Sequence, residues 1–139
     1  MATTDEIIDC LQLINSDNIG PVTFYKLFNQ NGGLKGALQK LAEIFPQRLF
    51  PRQKAEQEWE HASRDNIRLL LFSDPHYPEA LKSLDAPPPL LYLRGNPQCL
   101  NQIPAVSIVG ARNATVGGRK TAARIAFELT EAGVMVVSG

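Results

Sequence analysis

The chain has 139 residues, room for one ordinary domain or two small ones. Its 14 basic and 14 acidic residues cancel, which excludes a polybasic protein; any affinity for nucleic acid has to come from a local patch. An apolar content of 44% excludes wholesale disorder, and Cys10 and Cys99 are too few for a disulfide framework or a zinc site.

No apolar run approaches the roughly 18 residues of a membrane span, and Met1 to Asp9 is polar and acidic, unlike a secretory signal. The expectation is a soluble, cytoplasmic protein. Charge is uneven along the chain. Residues 1–60 carry six bases against eight acids, and residues 61–139 carry eight bases against six acids. Arg112, Arg119, Lys120 and Arg124 follow one another with no acid between them.

The first 60 residues read as helices. Ile7, Ile8, Leu11 and Ile14 recur at helical spacing. Asp17-Asn18-Ile19-Gly20-Pro21 then supplies turn chemistry, with Gly20 free to take positive φ and Pro21 suited to a first helical position. Val22, Tyr25, Leu27 and Phe28 predict a second helix that stops at Asn29 to Gly33, and Leu34, Ala37, Leu38 and Leu41 a third. Pro46 and Pro51 bracket a loop before a solvated helix over 53–64, anchored by Trp59. Helix–(Ile-Gly-Pro)–helix resembles helix-hairpin-helix and SAM-like modules. In that reading the backbone around Gly20 meets a phosphate; in the plainer one Gly-Pro only turns one helix into the next. A net acidic helical region also suits a protein partner.

The character changes at Asn66, which places a domain boundary at 65/66. Ile67 to Phe72 is a β-compatible run ended by the turn signal Ser73-Asp74-Pro75. Seven of the ten prolines lie between Pro75 and Pro104, and Pro87-Pro88-Pro89 admits neither helix nor central strand. This predicts an extended connection with a short strand at Leu90 to Leu93, and Tyr77 packing that connection down.

Ala105 to Val109 is a compact β-rich run followed by the loop Gly110 to Thr115. Ala122, Ile125, Ala126, Leu129 and Ala132 mark the core-facing stripe of a helix beginning near Val116. Gly133 stops it, and Val134 to Val137 reads as a strand of the kind buried on both faces in parallel sheets. Strand, loop, helix and strand make a βαβ unit. The fold class is therefore α/β: a small helical N-terminal domain, residues 1–65, and the opening part of a parallel sheet, residues 66–139.

The first loop of such a unit meets free backbone N–H groups and the positive end of a helix, a ready anion site. A dinucleotide fingerprint would need glycine where Arg112 stands, and no phosphate-binding loop of the G-x-x-x-x-G-K-[ST] kind is present. Arg112 instead offers a planar fork for one phosphate. Thr115 adds a hydroxyl or a helix cap, and Gly117 and Gly118 keep the helix entrance open beside Gly110 and Ala111. Arg119, Lys120 and Arg124 either line a path for further phosphates or form a solvated helix face. His61 and His76 stand without metal-ligand spacing, and no nucleophile–base pair or carboxylate dyad is visible. The residues favour binding over catalysis, with no cofactor and no metal.

Four blocks carry a resemblance: Tyr77-Pro78-x-x-Leu81, Pro88-Pro89-x-Leu91-Tyr92-x-x-Gly95, Ile108-Val109-Gly110-Ala111-Arg112-x-x-Thr115 and Val136-Val137-Ser138-Gly139. In order and spacing they resemble the bacterial DNA-processing protein A family (DprA, also called Smf), over roughly residues 70–139. The resemblance implies a SAM-like N-terminal domain and an extended Rossmann-like domain. It also implies binding of single-stranded DNA during natural transformation, loading of the RecA recombinase onto that DNA, and a homodimer of the full-length protein. The family's loop arginine contacts DNA phosphate, a role that falls on Arg112. Ala111 departs from the family's usual serine, and Gly117 from a position often aromatic. The family continues beyond Ser-Gly, so the chain is expected to be a fragment, less soluble or more associated than a full-length relative. The alternative is a nucleotide-binding enzyme similar to the lysine-decarboxylase-like phosphoribohydrolases, whose catalytic motif would lie beyond Gly139.

Overall fold

The computed structural model describes residues 2–101 and 104–138. They fall into two compact units, one up to Pro97 and one from Gln98. Strands β1 and β2, which follow the 65/66 boundary expected from composition, belong to the first unit with the helices. Among the described residues no helix is long and apolar enough to cross a membrane.

In the first unit, helix α1 spans Thr4–Ile14. It starts with a capping box: the Glu6 N–H donates to Thr3 Oγ1 at 3.2 Å while the Thr3 N–H donates to Glu6 Oε2 at 2.7 Å. The Thr3 N–H, together with the Thr3 hydroxyl, donates to the Glu6 carboxyl and holds it below the usual carboxylate range. Helix α2 spans Pro21–Gln30, α3 Leu34–Ile44 and α4 Arg52–Arg64, with a 3-10 turn at Pro46–Arg48 inside the expected loop. The turn before α2 differs from expectation. Gly20 is extended, φ −88°, and the positive φ falls on Asn18 at 62°. Asparagine tolerates that region because its short polar side chain bonds locally.

Leu11, Leu13, Phe24 and Ala37 are fully buried, and Ala55 of α4 packs with them. Phe24, Tyr25 and Phe28 of α2 meet Phe72 with ring centroids 5.3–6.1 Å apart, mostly edge to face. Among the described residues the Tyr25 hydroxyl is buried without a hydrogen-bond partner, whereas the buried polar residues Asp9, Gln12, Ser16 and Asp74 are bonded. Asp9 receives Arg52 Nη1 at 2.5 Å, and Gln12 Nε2 donates to the Phe50 carbonyl at 2.9 Å. The Ser16 hydroxyl donates to the Gln12 carbonyl and accepts the Phe50 N–H. These bonds fasten the α3–α4 connection to α1.

Strand β1, Arg68–Leu71, pairs antiparallel with β2, Leu90–Leu93, with Arg68 opposite Leu93. The proline-rich connection between them contains one helical turn, α5 (Glu79–Lys82), where only extended chain is expected; Pro78 presets its start. Tyr77 is completely buried, and its hydroxyl donates to the Pro88 carbonyl at 2.7 Å, which pins the connection as anticipated.

The second unit holds the expected βαβ arrangement. Strand β3, Ala105–Ile108, leads to α6, Val116–Glu131, and β4, Met135–Ser138, returns parallel to β3 with Ala105 opposite Met135. Gly133, at φ 78°, ends the helix: its N–H bonds the Thr130 carbonyl, and the Val134 N–H bonds the Leu129 carbonyl. The burial expected for this unit is not reached. Val106, Ile125 and Val137 are 40%, 41% and 46% exposed, because one helix and two strands bury a single interface. The unit is nonetheless the opening of a Rossmann-like parallel sheet.

Two outcomes follow from the packing of the first unit. Gly36 sits inside α3, where alanine normally stabilises, yet a Cβ there would lie 1.8 Å from the Asn31 carbonyl oxygen. Gly36→Ala is therefore expected to destabilise the unit by about 1–3 kcal/mol, as overpacking does, measured by denaturant unfolding. A neutral or stabilised variant contradicts that contact. Burial pushes the Cys10 thiol from 9.0 up to about 12, so its contribution is complete below pH 9 and lost as pH climbs toward 12. Alkaline loss of stability should shrink in Cys10→Ala, and in the native chain thiol reagents should modify Cys99, which is exposed, well before Cys10.

Candidate nucleic-acid interface

The turn between β3 and α6 is set by Thr115. Its backbone is extended, φ −62° and ψ 160°, and its Oγ1 accepts the Gly118 N–H at 3.0 Å. The Arg119 N–H makes the first helical bond, to the Thr115 carbonyl at 3.0 Å. A helix start leaves its leading N–H groups without helical acceptors; with Gly118 taken by the cap, those of Val116 and Gly117 remain. They stand at the positive end of a 16-residue helix.

Gly118 packs closely on the cap. A Cβ on it would come within 3.3 Å of Thr115 Oγ1, whereas one on Gly110 would meet nothing within 4 Å. The turn opens on a cavity of about 510 Å³ whose walls include Gly110, Ala111, Thr115, Gly118 and Arg119. Ile108 and Ser138, the last residues of the two strands, close its floor. The cavity thus lies beyond the carboxyl ends of parallel strands, where open α/β sheets hold their ligands.

Five of the eight residues singled out in the sequence line this cavity; Arg112, Gly117 and Lys120 do not. Arg112 is exposed on the turn itself. Among the described residues Arg112, Arg119 and Lys120 have no ion-pair partner, whereas Arg124 lies 3.9 Å from Glu128 one helical turn on. The chain carries no Asp or Glu from 86 to 127. Three cations without ion-pair partners among the described residues thus lie within the turn and first helical residues that also carry two spare main-chain donors, a combination suited to anions. Sequence reasoning missed Ala114 and Ser138 of the lining; small neutral residues carry no chemical signal of their own. Gly20, the other candidate phosphate contact, caps α2 without any side-chain bond. His76 Nδ1 lies 3.2 Å from Asp74, and among the described residues no group of His, Cys, Asp or Glu is arranged to hold a metal.

Residues 68–139 match the family model of DNA recombination-mediator protein A. The chain belongs to that family. Residues 4–61 match the DprA-like N-terminal HHH domain, in keeping with the helix–turn–helix of α1 and α2. Over 114 residues the chain is 37% identical to Protein Smf of Synechocystis sp., covering 78% of this chain and 28% of that protein. Over 73 residues it is 33% identical to the DNA processing protein DprA of Bacillus subtilis, covering 52% and 25%. It spans about a quarter of the length of these curated relatives. The β3–α6 turn, with its three free cations, lies inside the recombination-mediator match.

Removing the cap is a direct check on the turn. Thr115→Ala should cost about 1 kcal/mol through the lost bond to Gly118, with Thr115→Ser close to wild type, both read by thermal unfolding. Equal stability of all three chains would show that the hydroxyl does not set the helix start.

Proposed function

We propose that the chain binds single-stranded DNA through the β3–α6 turn, as part of a protein that handles incoming DNA in natural transformation. Arg112 anchors one backbone phosphate, and the N–H groups of Val116 and Gly117 with the Thr115 hydroxyl surround it. Arg119 and Lys120 receive neighbouring phosphates. The observation carrying this reading is the set of unpaired cations around a helix start in a stretch without acids. Membership in a recombination-mediator family supports it. The names of the relatives, one a DNA processing protein, agree with it.

In the whole protein this binding serves to load the RecA recombinase, with a homodimer as the working form and the cytoplasm as the setting. The protein acts by binding rather than catalysis. Residues 1–65 and 66–139 are the two functional modules, a division that falls between the two matched segments, 4–61 and 68–139.

The test is fluorescence anisotropy of a labelled oligothymidylate against salt. Neutralising about three phosphates should give a slope of log K on log salt near −2. Arg112→Ala should weaken binding by about 1.5–3 kcal/mol, the range for hydrogen bonds to charged groups. Unchanged affinity in Arg112→Ala removes the anchor, and a mononucleotide that competes as well as the oligomer favours a nucleotide-enzyme site instead.

A further inference from the structure

The first unit contains a second concave site, unconnected with the loop arginine. A cavity of about 340 Å³ opens between α4, the end of α1 nearest the N-terminus, and β1. Its apolar floor includes Ile7 and Leu69; Trp59, Ser63, Asn66 and Arg68 bring an indole, a hydroxyl, an amide and a guanidinium to it. Trp59 is half-buried, packed against the core, and also lines the cavity. Arg68 is the exposed first residue of β1. Among the described residues the polar side-chain groups of Trp59, Ser63, Asn66 and Arg68 have no hydrogen-bond or ion-pair partner, and no lining residue is acidic.

Asn66 adds a separate observation. It holds φ at 55°, one of two non-glycine residues in that region among the described residues, and the turn it forms directs the chain from α4 into β1. A site of this size with one aromatic surface, one cation and two neutral donor–acceptor groups has the composition of a small-ligand pocket. An indole face takes a planar base, a guanidinium takes a phosphate, and a hydroxyl with an amide meets the polar edge of a base. We infer that this cavity binds one nucleotide unit, the base on Trp59 and the phosphate on Arg68. The inference rests on the DNA-binding reading for the source of that nucleotide, which is either a unit of a bound strand or a free nucleotide.

Trp59 is the single tryptophan of the chain, so its emission reports on this cavity alone. Titration with thymidine monophosphate and with a short oligothymidylate should quench it, the oligomer acting at lower concentration if the strand is the natural source. Arg68→Ala should weaken the quenching roughly ten-fold, the loss expected for one charge-assisted hydrogen bond. Asn66→Gly keeps the positive φ while deleting the amide, so weaker quenching by a chain of undiminished stability assigns that loss to the amide. Arg112→Ala should leave quenching by the mononucleotide unchanged. An oligomer that binds by anisotropy while neither it nor the mononucleotide alters Trp59 emission overturns the inference and spares the loop site. Quenching by mononucleotide in a chain that fails to bind the oligomer upholds the cavity and removes the loop reading. Emission that responds to an acidic peptide and to neither nucleotide assigns the cavity to a protein partner and overturns the inference.

Discussion

The second unit is organised by one hydrogen bond, from the Gly118 N–H to Thr115 Oγ1. A helix start has several N–H groups and too few acceptors, and which of them find a partner decides what the start can bind. Thr115 satisfies Gly118 and leaves Val116 and Gly117. The same residue halts the turn in extended backbone, so α6 begins directly beyond the ends of β3 and β4. A Cβ at 118 would lie 3.3 Å from that hydroxyl, a tight contact that a shift of a few tenths of an ångström would relieve. Cap and spare donors are consequences of one local arrangement, and the turn that carries it also lines the cavity.

The first unit solves a different problem. Four helices and a two-stranded sheet bury a mixed core, and polar contacts decide how α4 joins α1. Arg52 reaches Asp9 and also lies 3.2 Å from both Asp5 and Glu56. Asp9 is buried while its partner is not, so removing the arginine would leave a carboxylate in the interior without its counter-charge. The exposed arms to Asp5 and Glu56 contribute little by comparison, being screened by solvent. Tyr92 and Asn15 both bond Glu58 of α4, which ties β2 and the end of α1 to the same helix. The acidic balance of this region is thus partly consumed by internal pairing.

Much of this was legible in the residues. Helix starts at Pro21 and Leu34 follow from proline and paired glycines, and the stop at Gly133 from its freedom at positive φ. Strands at 68–71 and 90–93 follow from short apolar runs between turn signals. The parallel pairing of β3 and β4 follows from strand–helix–strand spacing. Burial in the second unit was not legible, because periodicity marks the face that is able to pack and says nothing of what stands opposite. The α5 turn was missed because proline excludes helix interiors but favours helix beginnings. Asp9 was hidden for another reason: its partner lies 43 residues away, and no local pattern announces that pairing. At the site, the charged and glycine positions were visible from the sequence. The choice among them was geometric, since Arg119 faces the cavity and Lys120, its neighbour, does not.

If main-chain donors at the head of α6 hold the phosphates of a strand, their amides sense the strand's arrival. Amide resonances followed during addition of an oligothymidylate test it most directly. The largest shifts should then fall on Val116 and Gly117, with smaller ones along the turn from Gly110. Binding that leaves those two amides unmoved while perturbing residues elsewhere would contradict it.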